Sequence, residues 1–457
     1  MNQATLVQTI QALRTFAAWL LLTLAVAADW TEVTFGDQPV AIGAGARALG
    51  MGGAFTAVAD DATASTWNPA GLVQCERPEM SLSLGAYRTT IIDDDAHNDH
   101  NAVQPDHISA MLPFFAGGCQ QVVGVSWQRQ YDYTREFTVR QASSVDAGFF
   151  ILSSDDRDHI TKDGSLASLG ISYAIEPSPG FAIGLTANVW GDRWTGASHY
   201  RERSQRVART TLTFPGPVDF TQIDTFLGDD QTRVASGWNV VGGCWWQATP
   251  ALTVALTVKP GYRLHLETSS TLQHSVDDGM TITTTDTVTG SDVDLRHPPS
   301  ATLGLAWRQA DLHTVACDVT WTRWRNYAIE DSEGRHSPIF RLAEPDEFPD
   351  LWSVRFGYEY VAILPQVVLV PRIGALVEWL PAVTAAPSLY AVDQAAVTRD
   401  RWIGLTAGLG VCQRDTVWDF AIQVRRGVGV GAGQFTVSDQ TADVTIITAR
   451  LGVAQSF

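Results

Sequence analysis

The chain has 457 residues, with 49 acidic against 31 basic side chains and a formal net charge of −18. That balance excludes a nucleic-acid partner, since a phosphate backbone demands a basic surface. Five cysteines (Cys75, Cys119, Cys244, Cys317, Cys412) without C-x-x-C spacing give no basis for a metal or redox module, and no cofactor is indicated.

Residues 1–28 read as an export signal. Arg14 is the only charge ahead of the apolar run 16–28, and Ala25-Val26-Ala27 is a small-x-small cleavage site. The run is too short for the roughly 20 residues of a membrane-spanning helix. No later stretch approaches that length without charges. Because lipid cannot satisfy backbone amides, only helices and closed barrels cross it, so an integral form of this chain must be a barrel.

Residues 29–80 form the next segment, an N-terminal hatch or plug. Its centre, GARALGMGGAFTAVADDATASTWNPAGL from Gly45 to Leu72, is rich in Gly and Ala and closes on Asn68-Pro69-Ala70-Gly71. Glycines at Gly43, Gly45, Gly50, Gly52 and Gly53 permit backbone geometries that suit a plug that moves, or one that packs tightly.

Residues 81–457 alternate with period two in segment after segment. In 251–259, Leu252, Val254, Leu256 and Val258 share a face, and in 165–175 Leu169, Ile171, Tyr173 and Ile175 do. Such alternation over about ten residues is the strand signature of an outer-membrane barrel. The pattern predicts fourteen strands, near 81–89, 106–115, 120–140, 163–176, 180–206, 232–249, 251–273, 292–309, 312–329, 351–361, 366–379, 402–413, 415–426 and 443–457. Short turns, such as Ala116-Gly117-Gly118 and Gln413-Arg414-Asp415, alternate with long loops, such as 141–162, 207–231, 274–291, 330–350 and 380–401. Short periplasmic turns, long outer loops and an even strand count are how such barrels are built. Sixteen Trp suit aromatic girdles at two membrane interfaces, and mean hydropathy near zero suits a wall in which only alternate residues meet lipid. The fold expected is an all-β, fourteen-stranded antiparallel transmembrane barrel with the N-terminal hatch in its lumen.

Parity along the strands assigns inward charges. Trp352, Val354, Phe356, Tyr358 and Tyr360 share one face, which turns Arg355 and Glu359 inward; the same logic turns in Arg372, Glu378, Asp318, Asp419 and Arg425. Opposite signs on adjacent inward positions pair, which lowers the cost of leaving bulk water. These residues then either hold the barrel's shape or meet a ligand's carboxylate. His97, His100 and His107 beside Asp93, Asp94 and Asp95 have poor spacing for a closed metal site and suit a solvated outer loop. Apolar residues within outer loops, namely Phe149, Phe150, Ile151 and Leu152 in one and Phe214, Phe220, Phe226 and Leu227 in another, mark a candidate landing surface or a lid. There is no G-x-S-x-G elbow, H-E-x-x-H pair or phosphate-cradling loop and no nucleophile to name, so the residues do not point to an enzyme.

The plug with Asn68-Pro69-Ala70, the segment His297-Pro298-Pro299-Ser300-Ala301-Thr302-Leu303-Gly304 and the segment Asp318-Val319-Thr320-Trp321-Thr322-Arg323-Trp324 resemble the FadL/TodX family of outer-membrane transporters. The resemblance runs over essentially the whole mature chain. It implies passive uptake of hydrophobic compounds such as long-chain fatty acids, from a loop groove to a lumenal pocket above the hatch. The hatch then moves, and the solute leaves sideways through the wall near the third strand, where Gly124 is the candidate position. The implied site is a Gram-negative outer membrane, with lipid, a hydrophobic ligand and, during biogenesis, the barrel-insertion machinery as partners. Phe457 as the last residue, sharing a face with Ile447, Ala449, Leu451 and Val453, resembles the signal that machinery reads; Gln455 departs from it. GARALGMGGAF followed by ADDA and WNPAGL is also similar to PorV-like barrels of type IX secretion, which implies secreted proteins as alternative partners. The Thr- and Asp-rich stretch 274–291 departs from an apolar loop groove, which leaves the solute open.

Overall fold

The computed structural model of the chain describes residues 40–92, 97–146, 148, 150–214, 219–332, 334–338, 344–384, 396–430 and 442–457. The proposed signal and the acidic triplet Asp93–Asp95 lie outside them.

The strands form because β-branched and aromatic residues alternate with small and polar ones, so that one face of each meets lipid and the other the lumen. Fourteen strands pair in chain order. They are β1 (Glu79–Ile92), β2 (His97–Ala116), β3 (Cys119–Asp132), β4 (Ile151–Ser178), β5 (Phe181–Trp190), β6 (Asp219–Gln247) and β7 (Leu252–Lys259). They continue with β8 (Ser300–Gln309), β9 (His313–Thr322), β10 (Leu351–Tyr360), β11 (Val368–Thr384), β12 (Ala396–Gln413), β13 (Thr416–Val430) and β14 (Ala442–Ser456). β14 returns to pair with β1 from Glu79↔Ser456 to Ile92↔Asp443, which closes the sheet. All these pairings are antiparallel. Among the described residues no helix is long and apolar enough to cross a membrane.

The outer face carries the expected apolar belt, with exposed Leu82 and Leu84 on β1, Ile171 on β4, Leu303 and Leu305 on β8, and Leu405 on β12. Aromatics bound it on two levels: Phe181, Trp246, Trp307 and Trp418 near the short-turn end, and Trp194, Trp238 and Trp352 near the other. Indole and phenol rings favour such interfaces because one end of the ring is apolar and the other wet.

The outer loops depart from expectation. Stretches 141–162, 207–231 and 274–291 are largely strand, not loop. Segments Arg135–Asp146, the first half of β4, His199–Thr213, the first half of β6, Tyr262–Asp277 and Ile282–His297 pair one after another, so the wall continues beyond the lipid on one side. The 29 residues of β6 reach about 100 Å at ~3.4 Å each, against a lipid zone of roughly 25 Å. Once above the membrane, neither face needs a regular apolar stripe, so runs such as Thr283-Thr284-Thr285 carry no period-two signal. The strands predicted as unbroken at 180–206, 251–273 and 292–309 are interrupted between the two zones by a helical turn α1 (Asp192–Thr195), by Pro260-Gly261 and by Pro298-Pro299. Proline cannot donate to a ladder, so the break falls there.

Candidate functional site: the plugged lumen

Residues 42–75 lie inside the barrel and are almost wholly buried. Their core is built of small side chains, among them Ala54, Ala57, Ala59 and Ala64 around Phe55 and Met51. The plug contains a short helix at Ala46–Gly50, another at Ala64–Trp67 and a 3-10 turn at Pro69–Gln74. Lumen-facing glycines of the wall let its backbone come close. A Cβ at Gly357 would stand 2.5 Å from the Met51 carbonyl oxygen, and one at Gly243 would stand 2.0 Å from Asn68 Oδ1.

Asn68 is fully buried and works in three directions. Its Oδ1 accepts from the Ala70 amide (3.2 Å), capping the 3-10 turn, while Nδ2 donates to the Thr56 carbonyl (3.0 Å) and to the Cys244 carbonyl of β6 (3.1 Å). Pro69 at the first position of that turn has no amide to lose. Pro69 and Ala70 lie against Gly184 of β5, Gly71 packs on Ala59 within the plug, and Asn68 ties the plug to β6. Other lumenal side chains do the same for plug backbone: Thr406 donates to the Gly50 carbonyl (2.9 Å), Thr186 to Ser65 (2.7 Å), and Trp245 to Ala57 (3.2 Å).

All seven lumenal charges named from parity point inward, and six of them form two clusters. Glu378 accepts from Arg355 (2.8 Å) and from Arg425 (2.7 Å), leaving Arg425 Nε without a partner. Glu359 accepts from Arg372 (2.6 Å) and Arg372 pairs with Asp419. Plug residue Arg47 completes that second cluster, binding both oxygens of Glu359 (2.9 and 3.0 Å) and pairing with Asp60. Asp318 meets no cation; its Oδ2 accepts from the Phe55 and Thr56 amides (3.0 and 2.9 Å), and its Oδ1 has no partner.

Sequence reasoning missed Arg47, Arg308, Asp106, Arg129 and Arg450. Arg308 and Arg450 follow from parity, opposite Trp307 and Leu451. Asp106 and Arg129 sit beside register shifts, where alternation changes phase and parity fails.

Between plug and outer end lies a cavity of about 100 Å³, lined by plug residues including Leu49, Gly52, Gly53 and Trp67 and by wall residues that include Leu376 and Ile446. Its charged lining is cationic: Arg135, Arg355, Arg425 and Arg450 against Asp132 and Glu378. Above it, buried rings close one side of the lumen. Trp190 stacks on Tyr262 (5.7 Å), Tyr262 on His297 (4.6 Å), and His297 on Tyr131 (4.9 Å).

The outer-loop aromatics form no open groove among the described residues. Phe150, Phe214 and Phe220 pack on one another at the tip of the extended wall (6.2 and 6.0 Å), Ile151 and Leu152 begin β4, and Phe226 stacks on His274 (4.1 Å). Leu227 is exposed on β6. Phe149 lies outside the described residues. Gly124 sits in an unbroken ladder, between Met111 and Ser172. His100 faces Glu136 (3.4 Å), whereas His107 is buried and neither ring nitrogen has a partner. No metal-holding group of His, Cys, Asp or Glu occurs among the described residues, and all five cysteines are free.

No curated protein matches the chain. Its fold matches that of the Ralstonia pickettii toluene transporter TbuX (16 % identity, 91 % of this chain and 98 % of that one, TM-score 0.55). It also matches a Pseudomonas aeruginosa FadL homologue (13 %, 93 % and 99 %, TM-score 0.55) and the P. putida toluene transporter TodX (15 %, 91 % and 99 %, TM-score 0.55). The family model described as outer membrane protein transport protein (OMPP1/FadL/TodX) matches residues 38–363, well over half of the chain. The chain therefore belongs to the OMPP1/FadL/TodX family of integral outer-membrane β-barrels of Gram-negative type, which transport hydrophobic compounds.

Proposed function

We propose that the protein passively imports hydrophobic compounds that carry a carboxylate, long-chain fatty acids foremost, with the plug as a moving hatch. The observation that carries this reading is the cavity above Trp67 and Leu49, where apolar walls meet Arg355 and Arg425, two guanidinium groups that share the single carboxylate of Glu378. A neutral hydrocarbon gains at most a cation–π contact from buried guanidinium groups, whereas a carboxylate accepts charge-assisted hydrogen bonds from them. Arg425 Nε, buried and without a partner, is a donor such a ligand would satisfy.

Size argues that the plug moves. Pockets that bury whole ligands run to about 300–1,000 Å³, and this one holds about 100 Å³. Seven plug residues line it, so a shift of the plug enlarges the cavity without deforming the barrel. Sideways release into lipid then delivers an apolar molecule without a passage through water, and no energy source is required at that step.

The test is uptake of labelled oleic acid by cells lacking their own importer, with this protein or an empty vector. A saturable rise that Asn68→Ala removes, with barrel insertion intact, is the expected result. An inserted barrel with no rise refutes the fatty-acid reading and turns attention to secreted proteins as partners. For that reading the edge strand 282–292, paired on one side with Tyr262–Asp277 and exposed throughout, is the surface to probe by pull-down.

A further inference from the structure

The wall has a seam between β2 and β3. β2 and β3 pair from Ala116↔Cys119 up to His107↔Gln128 and part there. Beyond that point the edge of β3 is taken by the plug: Ala41 pairs with Tyr131, Val40 with Asp132, and the Ile42 amide donates to the Gln130 carbonyl (2.9 Å). The N-terminal end of the plug stands where the neighbouring strand would otherwise be. Val103 on β2 is outward and exposed beside this level, so the seam opens toward the apolar belt.

One carboxylate lies behind it. Asp106 is the extra residue of β2 where the register with β1 shifts, between Pro105↔Leu84 and His107↔Ser83, and it is fully buried. Its Oδ1 accepts from Arg129 of β3 (2.8 Å), across the seam. Its Oδ2 accepts from Tyr87 of β1 (2.5 Å) and from Arg450 of β14 (2.9 Å). Arg450 in turn donates to the Gly45 carbonyl of the plug (3.2 Å). Arg129 also binds Gln104 (2.7 Å) and Asp132 (3.0 Å), the latter being the residue opposite Val40. Asp106 thus joins β1, β3 and β14 at the seam, and reaches the plug through Arg450.

We propose that Asp106 is a latch that couples the plug to the lateral seam: the plug strand completes the wall at β3, and the Asp106–Arg129–Arg450 cluster holds seam and plug shut together. When the plug leaves β3, Arg450 loses the Gly45 carbonyl and Asp132 loses its strand partner, which loosens both arms of the cluster at the moment the seam is uncovered. A closed outer membrane and a lateral exit are then reconciled by one device, because the wall opens only when the plug has moved. The purpose assigned to the latch rests on the transport reading above; its geometry does not.

The test reads plug docking directly. In full-length protein with the five native cysteines replaced, Ala41→Cys and Tyr131→Cys face each other in an antiparallel pair, a separation a disulfide spans. The rate of cross-linking under a mild oxidant reports the fraction of time the plug strand is docked. Asp106→Asn is expected to slow it several-fold. Asp99→Asn, which breaks an exposed ion pair to Arg88 on the same hairpin, is expected to leave it unchanged. Cross-linking of Asp106→Asn at the parent rate overturns the latch. If Asp106→Asn does not insert, as judged by heat-modifiable gel mobility, Arg450→Gln, which removes the Asp106 ion pair and the arm to Gly45 together but leaves Arg129 in place, decides the same question. Oleic acid uptake in the parallel assay is a separate readout: its absence refutes the substrate, and leaves the cross-linking result to judge the latch.

Discussion

Gly243→Ala gives a sharp test of how the plug is held. A methyl group at this lumen-facing position of β6 would stand 2.0 Å from Asn68 Oδ1, 3.1 Å from its Cγ and 3.2 Å from Pro69 Cδ. The clash is relieved either by overpacking the site, at about 1–3 kcal/mol, or by swinging Asn68 out of three hydrogen bonds, at roughly 0.5–1.5 kcal/mol each. The two routes overlap at about 1.5–3 kcal/mol, which is a roughly 10- to 150-fold rise in the undocked fraction at ~1.4 kcal/mol per tenfold. Cys75, buried just past the 3-10 turn, reports that fraction, since its reaction with a water-soluble maleimide waits for local opening. The other four cysteines are replaced by Ser. Gly242→Ala is the matched control: it lies one residue away on the opposite face, with no atom within 4 Å of the added methyl. Labelling of Cys75 should accelerate in Gly243→Ala and stay at the parent rate in Gly242→Ala. Equal rates in the two variants would refute the idea that close backbone approach at β6 holds the plug.

Asp318→Ala strips both buried amides of Phe55 and Thr56 of their acceptor, at about 1–3 kcal/mol each, and should accelerate the same labelling at least tenfold; Asp318→Asn, which keeps an acceptor oxygen, should do so far less. Arg425→Gln should raise the half-saturating concentration for oleic acid severalfold while leaving toluene entry unchanged, and an equal effect on both solutes would remove the carboxylate from the substrate description. At the tip of the outer hairpin, Asp278 Oδ1 accepts from the backbone amides of Thr281 (2.7 Å) and Met280 (2.8 Å), which hold its carboxyl below the usual range. A depressed carboxyl stabilises above its unfolded pKa and loses that effect as pH falls through the folded one, so the protection of the Thr281 amide against exchange, relative to its intrinsic rate, should fall only below about pH 4, and Asp278→Ala should lack that protection at every pH.

The lipid-crossing part of the fold was legible because lipid imposes a strict rule: outward residues must be apolar, so Leu303, Leu305 and Trp307 alternate without error. Where that rule ends, legibility ends. The stretch 282–292 is strand in the structure, yet all its residues are exposed and none is required to be apolar, so Thr, Asp and Gly succeed one another without period. The same argument explains why the ends of β4 and β6 looked like loops. Their backbone hydrogen bonds are made with neighbours in the wall, a long-range fact that no local propensity encodes.

The lumen divides along the same line. Arg355, Glu359, Arg372 and Glu378 were found because each lies one residue from an outward aromatic or aliphatic side chain, and parity carried the inference. Asp106 and Arg129 escaped it because each sits where the register slips by a residue, and a slip hides a side chain's true face. Those slips fall where β2 and β3 separate and the plug strand takes over the edge. A wall meant only to be sealed has no need to break its ladder beside a buried carboxylate bound to two arginines. The irregularity that defeats sequence parity is therefore itself a positional clue. In this chain the phase change beside Asp106 and Arg129 marks the place where the proposed latch would let the wall part.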